Sequence, residues 1–379
     1  IASCLVVAPK ATAPFIRLCG DYVAVNKFIE TGHYPIPHVQ RALEKICRYK
    51  IFLDIDLVNA FHQVPLHWLT SQRLSIQTPW GQFAPRFMPE GIAPATFVLQ
   101  ETVSKIFSEF DDWSIAIFDN LLVLADTYED AYKKLEKIID KCIEFNLYLK
   151  FSKTWLGFER VHFFGYDCTY QSYGLSDQRK KTLNEYSPPR TVKQMQSFLG
   201  AALFFKSFVP HYSSLAAPLS EMTKADTRWD AQTWTPERLK AFDVFKAALQ
   251  SSFSLFYPDY SLVWVLRTDA SMEGVGMALF QVYHPSPEAE PQYQCIMFAS
   301  QKFSKQARNW TTIEQEAYGI YFAILNASYY LRCKAFILET DHANLMWMEA
   351  SQVPKVIRWR IYCQSFNFVI RHIKGKQNL

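Results

Sequence analysis

Two acidic positions in the N-terminal half of this 379-residue chain have the surroundings that phosphate chemistry needs. Asp56 closes the apolar run Ile51-Phe52-Leu53-Asp54-Ile55-Asp56-Leu57. Asp119 stands beside Asn120 between two further apolar runs, Ser114–Phe118 and Leu121–Ala125. Carboxylates delivered by neighbouring strand ends can hold a pair of divalent metal ions about 4 Å apart. Such a pair stabilises the attacking and leaving oxygens of a phosphoryl transfer. Without that convergence Asp54, Asp56 and Asp119 are ordinary strand-end and turn residues, and the residue types alone leave both readings open.

The elements that must position these acids follow from periodicity and turn chemistry. The pattern predicts a hairpin and a short helical stretch before a helix over Val39–Ile46, then a strand over 51–57. A hairpin over 75–88 and a helix from Pro94 to Phe110 come next. Asp119-Asn120 is predicted as the two-residue turn of a second hairpin, since both residues tolerate positive φ. Thr127 with Asp130 resembles a capping box ahead of an amphipathic helix. Residues 147–175 read as strands turning at Gly165, a helix opens after Thr191, and 213–260 read as a mixed connecting region. A second unit begins near Leu262. It has a strand over Val263–Arg267, a turn at Gly274 and Gly276, strands over Met277–Tyr283 and Gln294–Ala299, and a helix over Thr312–Tyr330. A strand over Ala335–Thr340 and a final helix–strand pair complete it. The mixture, without strict β-α alternation, predicts an α+β fold.

Composition narrows the class. Hydrophobic residues are 49% and charged residues 20%, which excludes a disordered or fibrous chain. No uncharged apolar run approaches the roughly 18–20 residues of a membrane span. No secretory leader follows Ile1, and the missing initiator Met reads as a fragment or processed product. Eight scattered Cys with no C-x-x-C pair suit a reducing compartment. Net charge is +4 and aromatic content 16%. The rings suit either stacking on bases or plain core packing.

A series of short stretches surrounds these acids: Arg17-Leu18-Cys19-Gly20-Asp21-Tyr22, Tyr34-Pro35-Ile36-Pro37 and Asp56-Leu57-Val58-Asn59-Ala60-Phe61-His62-Gln63-Val64. Met88-Pro89-Glu90-Gly91, Ala93-Pro94-Ala95-Thr96-Phe97, Ile117-Phe118-Asp119-Asn120, Phe163-Phe164-Gly165-Tyr166 and Ser197-Phe198-Leu199-Gly200 follow. In type, order and spacing they resemble the reverse transcriptase of gypsy-type long-terminal-repeat retrotransposons, the Metaviridae. The likeness runs from about residue 5 to the end of the chain.

The resemblance implies a right-hand polymerase (fingers, palm and thumb) followed by a mixed α/β RNase H-like domain. The implied boundaries are fingers and palm over 1–167, thumb over 168–225, a connecting region over 226–260 and the RNase H-like domain over 261–379. It implies that Asp56, the Leu57 carbonyl and Asp119 hold metal, Mg²⁺ or Mn²⁺, with Asn120 completing the catalytic hairpin. Lys10 and Arg17 would grip the phosphates of an incoming nucleotide, and Phe61 would exclude a ribose 2′-hydroxyl. Phe163, Phe164 and Gly165 would hold the primer end, with Ser197–Gly200 in the helix that tracks the duplex. Lys150 with Lys153, Arg179-Lys180-Lys181, and Arg190 with Lys193 would line a nucleic-acid channel. Two residues depart from the family. Asn120 stands where it has a second aspartate and Ile117 where it has Tyr. The lost charge weakens Mg²⁺ attraction, so Mn²⁺ is expected to serve at least as well. Glu90 also departs from an uncharged family position and receives no role.

In the second unit the resemblance implies Asp269, Glu316 and Asp341 as the first three carboxylates of an RNase H site, again metal ligands, with Glu314 as the competitor of Glu316. His342 is expected to be structural. Gly375-Lys376-Gln377-Asn378 matches the segment before a fourth aspartate, which is expected beyond Leu379. The implied activity is RNA- and DNA-dependent DNA synthesis with RNase H. The expected partners are RNA template, DNA primer, RNA–DNA hybrid and dNTPs, with no membrane. The expected setting is cytoplasmic, within virus-like particles, and the oligomeric state is open between monomer and dimer. The alternatives are a polymerase-defective relic that only binds nucleic acid, and an unrelated metal-dependent phosphatase or nuclease.

Overall fold

Alternation along Ile51–Leu57 settles which way the central strand faces. Ile51, Leu53, Ile55 and Leu57 are buried, whereas Asp54 and Asp56 stay partly accessible on the other face. A computed structural model of the chain describes residues 2–373 apart from 10–14, 31, 33, 36, 225–226, 228, 231–232, 287 and 342–350. The chain divides into two compact units, 1–161 with 168–170, and 162–167 with 171–379.

The first unit opens with β1 (Ser3–Pro9), β2 (Ile16–Gly20), the short α1 (Val23–Asn26) and α2 (Val39–Ile46), the last as predicted. The central strand β3 (Ile51–Asp56) is followed by α3 (Trp68–Arg73), β4 (Ile76–Thr78), β5 (Gly81–Phe83) and α4 (Ala95–Ile106). Then come the hairpin β6 (Ser114–Ile117) and β7 (Asn120–Ala125), helix α5 (Tyr128–Glu144) and β8 (Trp155–Phe158). Two four-stranded sheets result, in the orders β2-β1-β4-β5 and β6-β7-β3-β8. The second sheet packs its inner face on α4 and α5. Leu99 and Val103 from α4, and Ala131, Ile138 and Cys142 from α5, share one core with Leu53, Ile55, Leu121 and Val123. Helix α5 starts where Thr127 accepts a hydrogen bond from the Asp130 amide, which satisfies one of the helix's orphan donors.

The second unit takes in parts of β9 (Arg160–Phe163) and β10 (Tyr166–Thr169), then β11 (Ser172–Leu175) and helices α6 (Asp177–Asn184), α7 (Val192–Leu203), α8 (Tyr212–Glu221) and α9 (Pro236–Gln250). The region read as a mixed connector therefore holds two regular helices; Pro218 inside α8 and Pro236 opening α9 disguised them. Strand β12 (Leu255–Phe256) joins a sheet of order β12-β11-β10-β9. Next come β13 (Val263–Ala270), β14 (Gly274–Tyr283), β15 (Gln292–Lys302), α10 (Thr312–Leu331), β16 (Phe336–Thr340), α11 (Pro354–Cys363) and β17 (Phe368–His372). These strands form a sheet of order β15-β14-β13-β16-β17, antiparallel on the β14 side of β13 and parallel on the β16 side. Gly274 and Gly276, predicted as a turn, lie inside β14, and the chain reverses over 271–273 instead. A Cβ on Gly274 would come within 2.5 Å of the Gln301 carbonyl, so glycine there serves strand contact rather than turn geometry. Helix α10 carries a full capping box between Thr311 and Glu314. All eight cysteines are free. No helix among the described residues is long and apolar enough to cross a membrane.

Candidate active site

The register of β3 against β7 decides what the acids at this end of the sheet can do. Asp56 lies directly opposite Asn120, Asp54 opposite Leu122, and the Leu57 amide donates to the Asp119 carbonyl at 2.8 Å. Opposed Cα atoms of an antiparallel pair are about 5 Å apart, and Asp119 is one Cα step of about 3.8 Å further on. The backbones of Asp56 and Asp119 therefore stand within about 9 Å of each other. The turn differs from the prediction. Ile117 pairs with Asn120, so the reversal is made by Phe118 and Asp119, and Asn120 opens the return strand. Phe118 sits at φ 52°, left-handed backbone that a large side chain rarely adopts. Gln100 compensates. Fully buried in α4, it accepts from the Phe118 amide at 2.9 Å and donates to the Ala116 carbonyl and the Ser104 hydroxyl, both at 2.9 Å. The one visible sign of this clamp in the sequence is a lone amide on the apolar face of Ala95–Ile106.

Around this end Asp119 is exposed and Asp56 is half-buried. Lys153 reaches Asp56 at 3.5 Å, so this lysine touches the acid itself. Asn120 donates through Nδ2 to Asp54 Oδ1 at 3.0 Å, a contact that reading the two residues separately does not suggest. Leu57 is buried, and Phe61 is half-buried in a 3-10 turn against the core. Lys10 lies outside the described residues. Arg17 pairs with Ala8 through its backbone, and its side chain lies outside the described part.

Phe164 and Gly165 turn the β9–β10 hairpin, both with positive φ, 49° and 79°. That is the φ pattern of a type I′ turn with Phe where Asn is usual. Phe163 is buried, and Phe164 meets it edge-on at 4.8 Å. Arg179 from α6 donates to the Phe164 carbonyl at 3.2 Å while its guanidinium lies 3.9 Å over the Phe204 ring. Sequence reading placed Arg179 in a basic channel cluster; the structure ties it to this turn.

In the five-stranded sheet, Arg267 on β13 lies opposite Glu339 on β16, and Glu339 opposite Arg371 on β17. Glu339 is almost wholly buried. It accepts from Arg267 at 2.6 Å and from Arg371 Nη2 and Nε, while Arg267 also lies over the Tyr293 and Phe280 rings. The Glu339 carboxylate holds the Arg371 guanidinium above its ordinary pKa. Two residues further along, Asp269 near the end of β13 and Asp341 just past the end of β16 lie at the same end of the sheet. Helix α10 covers the opposite face, where a Cβ on Gly319 would touch Thr268 and Ala270. Glu316, one helical turn before Gly319, is buried on that side. Glu314 is held by Lys355 at 2.9 Å and by the helix cap. His372 contacts the Asp341 carbonyl at 2.8 Å. His342 and the segment 375–379 lie outside the described residues.

Among the described residues, no three His, Cys, Asp or Glu side chains converge closely enough to hold one ion. Hard carboxylate donors in pairs nevertheless fit Mg²⁺ or Mn²⁺. Mg²⁺ is commonly held by one or two carboxylates, with waters and substrate phosphates filling its shell. Asp56 with Asp119, and Asp269 with Asp341, meet that description.

A two-sheet unit with an acid-bearing hairpin, and a five-stranded sheet backed by α10, together make a right-hand polymerase fold followed by an RNase H-like domain. Residues 9–168 match the family model "Reverse transcriptase (RNA-dependent DNA polymerase)", and residues 259–366 match "RNase H-like domain found in reverse transcriptase". A foamy viral protease-reverse transcriptase in complex with dsDNA has the same fold, with TM-score 0.82 and 20% identity over 100% of this chain and 79% of that one. The complex of that viral enzyme with an RNA/DNA hybrid gives TM-score 0.69 at 20% identity, over 99% and 50%. The Transposon Tf2-7 polyprotein of Schizosaccharomyces pombe is 27% identical over 96% of this chain and 27% of its own length. The Retrovirus-related Pol polyprotein from transposon 412 of Drosophila melanogaster is 28% identical over 99% and 30%. The chain thus carries a reverse transcriptase domain and the RNase H-like domain found in reverse transcriptases, and it is similar to a stretch of these retrotransposon polyproteins. It spans less than a third of the length of these polyprotein relatives.

Proposed function

We propose that this chain copies RNA and DNA templates into DNA and that its C-terminal domain cuts the RNA strand of the resulting hybrid. The observation that carries the reading is Asp56 opposite the Asp119-Asn120 hairpin, at the accessible end of a sheet whose other face is core. The reaction is attack of a primer 3′-hydroxyl on the α-phosphorus of a dNTP, forming a new P–O bond and releasing pyrophosphate. Asp56, Asp119 and the Leu57 carbonyl would hold Mg²⁺ or Mn²⁺. When bound, such ions offset the charge that develops on the transferred phosphoryl group.

The protein's own residues do the rest. The antiparallel register keeps the Asp56 and Asp119 backbones within about 9 Å of each other, and Gln100 fixes the turn that carries Asp119. Lys153, 3.5 Å from the Asp56 carboxylate, offsets part of its charge. Lys10 and Arg17 are assigned to the triphosphate, Phe61 to the sugar, and the Phe163–Gly165 turn to the primer end. In the second domain Asp269, Glu316 and Asp341 are assigned to hydrolysis of hybrid RNA. The partners are then RNA template, DNA primer, hybrid and dNTPs, and the setting is the cytoplasm within virus-like particles. The parts are assigned as fingers and palm to 167, thumb to 225, connection to 260 and nuclease thereafter. The test is incorporation of labelled dNTP on an RNA template with a DNA primer, in Mg²⁺ and in Mn²⁺. No incorporation in either ion overturns the polymerase reading.

A further inference from the structure

Asn120 carries one carbonyl oxygen where a carboxylate would offer two equivalent ones, so it is useful to a cation only if that oxygen faces the right way. The structure holds a device that decides this. Asp54 and Asp56 share the accessible face of β3, and Asn120 lies opposite Asp56 on the same face. The Asn120 amide is joined to Asp54 Oδ1 at 3.0 Å. An ionised carboxylate only accepts hydrogen bonds, so the amide end that faces it must be the nitrogen. The pairing runs Asp54 to Leu122 and Asp56 to Asn120, so Asp54 is the acid farther from the hairpin tip. With its nitrogen committed toward Asp54, the amide turns its oxygen the other way, toward the tip that carries Asp119.

We propose that Asp54 is a positioning residue of the polymerase site: it locks Asn120 so that Oδ1 faces the Asp56–Asp119 end. The inference rests on the polymerase reading and deepens it. It makes Asp54 and Asn120 a matched pair. A carboxylate at position 120 needs no such orientation, because either oxygen serves and a neighbouring Asp54 would only repel it.

The test is a double-mutant cycle read by Mn²⁺ affinity. Electron paramagnetic resonance would follow the chain bound to a dideoxy-terminated primer–template and a dNTP, where no turnover occurs. Asp54→Ala is expected to weaken Mn²⁺ about tenfold, the lower end of what loss of a ligand-orienting partner costs. Asp54→Asn offers a donor as well as an acceptor, so it no longer dictates which end of the Asn120 amide faces it and should lose nearly as much. In the Asn120→Asp background, Asp54→Ala should cost nothing or tighten binding. Asp54→Val, which keeps strand propensity, replaces the alanine variant if that variant does not fold. Equal losses in both backgrounds would mean a merely structural role and overturn the proposal. So would an Asp54→Asn protein that keeps wild-type affinity, since an amide at 54 does not fix which end of Asn120 faces the site. A wild type that extends primers while Asp54→Ala matches its Mn²⁺ affinity sinks this inference and leaves the polymerase standing. A wild type that binds no Mn²⁺ overturns both.

Discussion

Two carboxylates in this molecule occupy similar places on β-strands and have opposite fates. Asp56 ends β3 on an accessible face and meets one exposed lysine at 3.5 Å. Glu339 lies within β16, 1% exposed, clasped by Arg267 and Arg371. A guanidinium fork on a buried acid is a closed arrangement, because separating the pair strands a charge in low dielectric. A lysine on a flexible stem at the surface holds an acid loosely, since such pairs contribute only about 0–1 kcal/mol. The difference separates scaffold from site. Glu339 fixes the register of three strands, and that register delivers Asp269 and Asp341 to one sheet end.

Breaking each carboxylate in turn tests the contrast. Asp56→Ala is expected to lower single-turnover nucleotide incorporation by about 10³-fold or more, with a melting temperature close to wild type. Glu339→Ala should do the reverse, costing about 3–5 kcal/mol in urea unfolding of the second unit because two arginines lose their shared partner. Polymerase turnover at temperatures where the chain remains folded should survive it. An Asp56→Ala protein that loses stability, or a Glu339→Ala protein that keeps it, would erase the distinction.

Smaller effects sharpen the same line. Gln100→Leu should cost about 1–3 kcal/mol, because the Phe118 amide and the Ala116 carbonyl lose their buried partner. Its incorporation rate should fall further than its stability predicts, since the turn carries Asp119. Gly165→Ala should cost about 1–2 kcal/mol, the penalty of left-handed backbone for a side chain, and a Cβ there would run into the Arg179 guanidinium. Thermal unfolding with primer extension reads both variants. The smallest expectation concerns pH. Burial pushes the Cys142 thiol from about 9 up to about 11. The folded chain therefore keeps that proton where the unfolded chain releases it. The resulting stability is complete below pH 9 and is lost as pH climbs from 9 to 11. Cys142→Ala should flatten that part of the decline in melting temperature, and an unchanged slope would refute the assignment.

Much of the fold was legible because local signals agreed with it. The helix over Val39–Ile46, the Thr127 and Thr191 caps and the long α10 all came from periodicity and capping chemistry. The helices in 213–260 escaped because their prolines read as breaks. The turn at 118–119 escaped because Asn120 is the better turn former of its pair with Asp119, while strand pairing and the Gln100 clamp choose Phe118 instead.

Residue order alone determined which acids sit at strand ends, the two-part organisation and the family the chain resembles, since these depend on patterns within a few residues or on motifs in series. The sequence also contained Asp54, Gln100, Arg179 and Glu339, yet nothing local marked what each would touch. Their partners lie 66, 18, 15 and 72 positions away respectively, counting Arg267 for Glu339. Contacts at such separations exist only once strands pair and helices pack, and no short-range pattern encodes which two side chains will meet. Tertiary structure alone decided that one acid would be bound fast and another left at the accessible end of its strand.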